Sequence, residues 1–178
     1  MKIKMELLSD VIFGNGMSIP GSEDVSVLQD AYGFPYYKGG TFKGIFREEL
    51  MRYLEWTMEN PKEISVVVNM LLGKSDSNAQ EGTEKLVFSD FCLSEAVRSE
   101  IVKEIGEENP TEILEALTHL RTFTRVTDDG IAQDGTLRIC RCVNKGLCFY
   151  SELQCQKEDE MMVKEILSLI KWVGSMSN

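Results

Sequence analysis

An α+β fold of the split βαβ, ferredoxin-like type is what this sequence predicts, and three observations predict it. Strand-forming stretches occur at the start ("KIKMELLSDVIF"), near the middle ("KLVFSDFCL") and towards the end ("RICRCV", "GLCFYSELQC"). Two amphipathic helices, one after residue 40 and one near the C-terminus, separate them. Strands interleaved with two helices that pack on one face form a two-layer sandwich. That arrangement ends on a strand after the second helix, whereas this sequence stops at "GSMSN". The last core strand is therefore expected to be missing.

The elements follow in order. "KIKMELLSDVIF" is rich in β-formers and reads as a strand. "GNGMSIPGSED" carries three glycines and a proline and reads as a loop. "VSVLQD" alternates weakly and suits a short extended piece, and "AYGFPYYKGG" is turn chemistry. Phe42, Ile45, Phe46, Leu50, Tyr53 and Leu54 then recur at helical spacing and define one buried face. Thr41 is the expected N-cap, with Gly40 relaxing the backbone before it.

"ENPKE" ends or bends that helix. "ISVVVNMLLG" predicts a second helix stopping at Gly73, and "KSDSNAQEGTE" a polar loop. "KLVFSDFCL" predicts one short buried strand. Residues 94–121 read as helical with a break near "EENP", where Asn109 precedes Pro110. The stretch from Thr122 to Cys155 predicts two or three strands with turns at "DDG" and "NKG". In "GLCFYSELQC", Leu147, Phe149, Ser151 and Leu153 alternate with Cys148, Tyr150 and Glu152. The final helix, "EDEMMVKEILSLIKWV", opens on acids that suit its dipole. Met162, Ile166, Leu169 and Ile170 make its expected core stripe.

A length of 178 residues suits a single domain over 1–178, with an insertion-rich region at about 57–120 and a hairpin region at about 121–155. Apolar residues at 43% allow a core, and no apolar run approaches a membrane span. The N-terminus lacks a signal-peptide core, so a cytoplasmic location is expected. Five cysteines without framework spacing argue against a disulfide scaffold. Cys140, Cys142, Cys148 and Cys155 cluster, but not as paired C-x2-C knuckles. Cys140 and Cys142 fall on one face of a strand, where thiols pack as small hydrophobes.

The net charge of −10 counts against a free-standing nucleic-acid binder. The charge is uneven, however. Residues 95–115 hold seven acids and two bases, whereas 119–150 hold five bases and three acids. An acidic flank and a basic flank can coexist on one domain.

The residues that carry chemistry are few. In "YYKGGTFKGIFREEL" two glycines lead into a helix, and free N–H groups at a helix start favour an anion. Lys43 and Arg47 lie i, i+4 and project from one side. The stretch is not a phosphate-binding loop of the G-x4-G-K-[ST] type, because Gly44 follows Lys43. A capped helix with solvated basic residues is the plainer reading of the same spacing. "RTFTR" places Arg121 and Arg125 around Phe123 and two threonines, a set that suits a single-stranded RNA backbone with stacked bases, or an outward polar strand. His119 is the single histidine, which excludes a paired-histidine ribonuclease. The loop acids Glu23, Asp24 and Asp30 could supply oxygen ligands to Mg²⁺ or orient an attacking hydroxyl, or simply face water.

Four stretches in order resemble the RAMP superfamily of CRISPR-associated proteins, most of all the repeated RNA-binding backbone subunit of type III interference complexes. They are "SDVIFGNG" with "IPGSED", "YGFPYYKGGTFKGIFREEL", "LLG…KLVFSDFCL", and the segment from "RTFTR" to "YSEL". The second is the most specific, being similar to a G-x-P-y-i-p-G-s-s-l-K-G-x-x-R signature. The resemblance implies an RRM-like core with a glycine-rich loop, a helical insertion and a thumb-like β-hairpin around residues 128–137. It implies crRNA guide binding at Gly39, Gly40, Thr41, Lys43, Gly44 and Arg47, with Arg121, Thr124 and Arg125 as further contacts. By position it implies target-RNA cleavage at Asp24, or more weakly at Asp30, with Mg²⁺ or another divalent metal. The partners it implies are guide RNA, target RNA and other subunits of a CRISPR effector complex, with no membrane. An inert Asp24 would leave a structural subunit. A free-standing guide-processing endoribonuclease is the third reading, and the lone His119 gives it little support. The acidic net charge and the missing terminal Gly/Arg-rich loop depart from the family pattern.

Overall fold

The computed structural model describes residues 1–19, 22–73, 85–125 and 135–170. Pro20 and Gly21 of the glycine-rich loop lie outside the described residues. So do the polar loop expected at 74–84, most of the hairpin tip expected at 128–137, and the chain from 171 onwards. Five helices and six strands are described, with antiparallel strand pairing. The α+β class holds. The described residues group into two compact units. The first takes residues 1–3, 38–73, 85–90 and 151–170, and the second 4–19, 22–37, 91–125 and 135–150.

In the first unit, helix α1 (Gly39–Thr57) buries Phe42, Phe46, Leu50 and Leu54 of the predicted stripe, while Ile45 and Tyr53 are half-buried. The helix starts two residues before the expected cap. Lys38 is the N-cap and makes no side-chain capping bond, so Thr41 is already inside the first turn. The "ENP" break is real: Asn60 accepts a hydrogen bond from Lys62 N–H and Pro61 opens α2 (Pro61–Leu72), which stops at Gly73. "KLVFSDFCL" forms two short strands rather than one, β2 (Val87–Phe88) and β3 (Cys92–Leu93); between them Ser89 bonds Glu152 through its N–H and its hydroxyl, and the Asp90 carboxylate turns to Gly39 N–H. Strand β6 (Cys148–Gln154) continues from the second unit into the first. In the first unit it lies between the start of β1 (Lys2–Glu6) and β2, with Val87 opposite Gln154 and Phe88 opposite Leu153. Phe88 meets the rings of Phe42 and Phe46 at centroid distances of 5.4 and 5.2 Å. Helix α5 (Glu160–Leu169) closes this core with Val163 and Ile166. Its stripe is narrower than predicted: Leu169 is exposed, and Met162 and Ile170 are half-buried.

In the second unit, Phe13 packs against Tyr37 and Phe149, with centroids 4.8 and 5.3 Å away. Strand β3 pairs with β6 through Cys92–Tyr150 and Leu93–Phe149. Helices α3 (Glu95–Ile105) and α4 (Pro110–Leu117) match the predicted helical region and its break, but residues 118–121 do not. There the β-branched Thr118 begins strand β4 (Thr118–Phe123), and its hydroxyl donates to the carbonyl of Leu114 at 2.6 Å, closing the helix end. Strand β4 pairs antiparallel with β5 (Arg138–Val143) over six residue pairs, forming the walls of the expected hairpin. On one face of β5, Cys140 and Cys142 pack with Ile12, Val25 and Phe123. Burial, then the nearby Asp24 for Cys140 and Asp10 for Cys142, pushes both thiols above their ordinary value. They behave as protonated, apolar side chains.

Gly33 holds a turn that no other residue could. Its φ is +86°, and an added Cβ would lie 1.9 Å from the carbonyl oxygen of Pro110.

Candidate nucleic-acid interface and loop carboxylates

The start of α1 is built from glycine for two different reasons. Gly39 is needed for packing: a Cβ there would lie 2.4 Å from the carbonyl oxygen of Phe88 and 2.5 Å from that of Ser89. Its N–H donates to the Asp90 carboxylate at 2.8 Å. Gly40 and Gly44 face open space, with no atom within 4 Å of a built Cβ. The first N–H of the helix to bond backwards is that of Phe42, to Lys38. The N–H groups of Gly40 and Thr41 therefore precede the helical ladder, at the end that carries roughly half a positive charge. None of the helix's own first-turn residues is acidic, and the carboxylate at its start is that of Asp90. Lys43 is half-buried and Thr41 exposed.

Arg47 is tied to the end of α2. Its Nη2 donates to the carbonyls of Leu72 at 3.2 Å and Gly73 at 2.7 Å, and Nη1 approaches Asn69 Oδ1 at 3.5 Å. The guanidinium caps the C-terminus of α2, where carbonyls have no helical partner.

The two candidate aspartates, both in the second unit, differ sharply. Asp24 is exposed. Its N–H donates to the carbonyl of Ile139, and its Oδ2 accepts from Ile139 N–H, both at 2.7 Å. Asp30 is engaged on both oxygens. Oδ1 accepts from the N–H groups of Tyr32 and Phe34, and Oδ2 pairs with Arg98 at 2.7 Å. Arg98 also stacks 4.2 Å over Phe34. This is a turn-forming carboxylate with an ion pair. Next to Asp24 in the chain, Glu23 is buried at 3% exposure and pairs with Nε of Arg141 at 3.1 and 3.2 Å.

The hairpin residues are displayed outwards. Arg121 is exposed, lies 5.5 Å over the Phe123 ring, and sits 3.9 Å from Asp10. The Thr124 and Thr136 hydroxyls are 3.2 Å apart, and Arg125 N–H donates to Thr136 Oγ1 at 3.1 Å. His119 stands between Asn144 Oδ1, at 2.7 Å, and Asp10 Oδ2, at 3.6 Å. Sequence reasoning singled out neither Asp10, Asp90, Asn144 nor the Glu23–Arg141 pair. The only hint was indirect: placing Cys140 and Cys142 on one face of β5 leaves Arg141 on the other.

Among the described residues no group of three His, Cys, Asp or Glu side chains is placed to hold a metal ion. No described helix is long and apolar enough to cross a membrane.

The pieces now define a class: an α+β chain with a glycine-opened helix start and a loop tied to a two-stranded hairpin. The RAMP superfamily profile matches residues 4–178, and the chain belongs to that superfamily. Among solved structures it is similar to a chain of the type III-B Cmr-beta complex bound to cognate target RNA. The TM-score is 0.62 at 14% identity, over 95% of this chain and 89% of that one. A chain of the apo Cmr-beta complex gives 0.63 at 12% identity, over 94% and 88%. No curated protein matches the chain in sequence.

Proposed function

We propose that this chain is a guide-RNA-binding backbone subunit of a type III CRISPR effector complex, with an RRM-like core, working in the cytoplasm beside other effector subunits. The observation that carries this reading is the start of α1. Gly40 and Gly44 leave its surface open, the Asp90 carboxylate takes the N–H of Gly39, and the N–H groups of Gly40 and Thr41 precede the helical ladder. Such a surface takes a phosphate oxygen from the RNA backbone. Lys43, on the same helix, adds a positive charge. Contacts of this kind hold a strand irrespective of its sequence, as a guide carrier requires. Arg121, Thr124 and Arg125 supply a second set of RNA contacts on the hairpin.

Asp24 is the candidate for target-RNA cleavage. It is exposed, whereas Asp30 is fully engaged in its turn. A hard oxygen donor suits Mg²⁺ or a similar ion, which would complete its shell with RNA phosphate oxygens and water and polarise the scissile phosphate. One observation favours a second, non-catalytic reading: Asp24 Oδ2 already holds Ile139 N–H, a structural task.

The test is co-expression with the genomic neighbours, purification of the complex, and sequencing of its RNA. Discrete short RNAs sharing a repeat-derived tag support the guide-carrier reading, and random RNA or none contradicts it. Replacing Asp24 by Ala in that complex separates the two versions. Loss of target cleavage with guide retained assigns catalysis to Asp24, and unchanged cleavage assigns a structural role.

A further inference from the structure

The loop that carries Asp24 is tied to β5 at three consecutive residues. Glu23 reaches Arg141 with both carboxylate oxygens, at 3.2 and 3.1 Å from Nε. Asp24 exchanges two hydrogen bonds with Ile139, one of them through its own carboxylate. Val25 accepts from Arg141 N–H at 3.0 Å. The Glu23–Arg141 pair is nearly dry, with side-chain exposures of 2% and 11%. It is also anchored from behind. Arg141 Nη1 donates to Thr118 Oγ1 at 3.1 Å, and that hydroxyl donates to Leu114 at the end of α4. The guanidinium thus joins the end of α4, β5 and the Asp24 loop.

A buried carboxylate held by two bonds to a rigid arginine has one low-energy position. Its neighbour in sequence inherits that constraint. A buried ion pair is poor evidence for stability, because desolvation offsets its attraction, but it can fix a unique local geometry. Exposed loops ordinarily lack such fixing. A reacting group, by contrast, loses rate when displaced by about 1 Å.

We infer that Glu23 and Arg141 are positioning residues that set the place of the Asp24 carboxylate from the base of the β4–β5 hairpin. The inference rests on the reading of Asp24 as the carboxylate that faces target RNA. Neither residue touches the RNA in this account. Each acts through the Asp24 backbone and through the Asp24–Ile139 bond.

The experiment uses the complex purified with its genomic neighbours and compares Asp24→Ala, Glu23→Asp and Arg141→Lys with wild type. Glu23→Asp and Arg141→Lys keep the charges and change only reach and geometry. Three quantities are read: single-turnover cleavage at saturating target, target affinity, and hydrogen exchange at the Ile139 amide. Both conservative variants are expected to cleave ten- to a hundredfold more slowly, with target affinity within twofold of wild type. Ile139 exchange is expected to rise tenfold or more. If Asp24→Ala is inactive while both variants cleave and exchange as wild type does, the positioning role is overturned and the catalytic reading survives. Rates that fall only in step with target affinity or assembly also overturn it, since that marks a general loss of structure. If Asp24→Ala still cleaves, the catalytic reading fails and exchange alone decides: faster Ile139 exchange keeps the positioning claim and unchanged exchange overturns it. Should either variant fail to assemble, Thr118→Val, which removes one bond from Arg141, is measured instead. A two- to fivefold effect in the same directions is expected, and no effect overturns the inference.

Discussion

The start of α1 and the base of β5 each present an arginine inwards, and they use it differently. Arg47 meets neutral acceptors, the last carbonyls of α2. Arg141 meets a buried carboxylate. Near α1 the arginine completes the scaffold while glycine backbone is left open for a ligand. Near β5 the arginine completes the scaffold while a neighbouring aspartate is left exposed. The arginine in each place completes the scaffold, one through carbonyls and the other through a carboxylate.

The comparison breaks first at β5. Arg141→Ala strands the Glu23 carboxylate in a dry site and should cost about 3–5 kcal/mol, enough to unfold a marginal unit, as urea unfolding would register. Gly39→Ala comes next. It forces a methyl group into the carbonyls of Phe88 and Ser89 and should cost about 3 kcal/mol. Arg47→Ala leaves carbonyls at the end of α2 without their charged donor and should cost about 2 kcal/mol by thermal unfolding. If Arg47→Ala leaves stability intact yet strips RNA from the complex, Arg47 is an RNA contact and not a scaffold residue.

Gly44→Ala sharpens the same contrast with the opposite sign. Its site is open and helical, so the fold should gain up to about 1 kcal/mol. RNA retention should nonetheless fall, because the methyl group covers the surface a phosphate would approach.

The smallest effect concerns pH. Burial raises the Cys140 and Cys142 thiols, so the fold favours their neutral forms. That contribution is complete below the ordinary thiol value of about 8.5 and is lost as pH rises through the raised values. The urea midpoint should fall on the alkaline side, and Cys140→Ala with Cys142→Ala should flatten that branch.

Much of the fold was legible because hydrophobic period is a local property. The stripe of α1, the Asn60–Pro61 start of α2, the Gly73 stop and the alternation of β6 follow from adjacent residues. The misreadings had tertiary causes. Thr41 looked like the cap, but Asp90, far along the chain, takes the first amide of α1. "KLVFSDFCL" looked like one strand, but the Asp90 carboxylate in its middle is drawn off to Gly39 N–H. Residues 118–121 had no helix-breaking signal, and only pairing with β5 makes them a strand. At the candidate sites, residue types were readable and their tasks were not. Nothing local distinguishes the engaged Asp30 from the exposed Asp24, or marks Glu23 as buried.

The most direct test of the central claim compares the RNA held by the purified complex when this subunit is wild type and when it carries Gly40→Ala, Gly44→Ala and Lys43→Ala together. The account predicts that the wild-type complex holds discrete guide RNAs and that the triple variant folds and assembles but loses most of them. Full retention of the same RNAs by the assembled variant would contradict it, because the guide would then be held by some other surface.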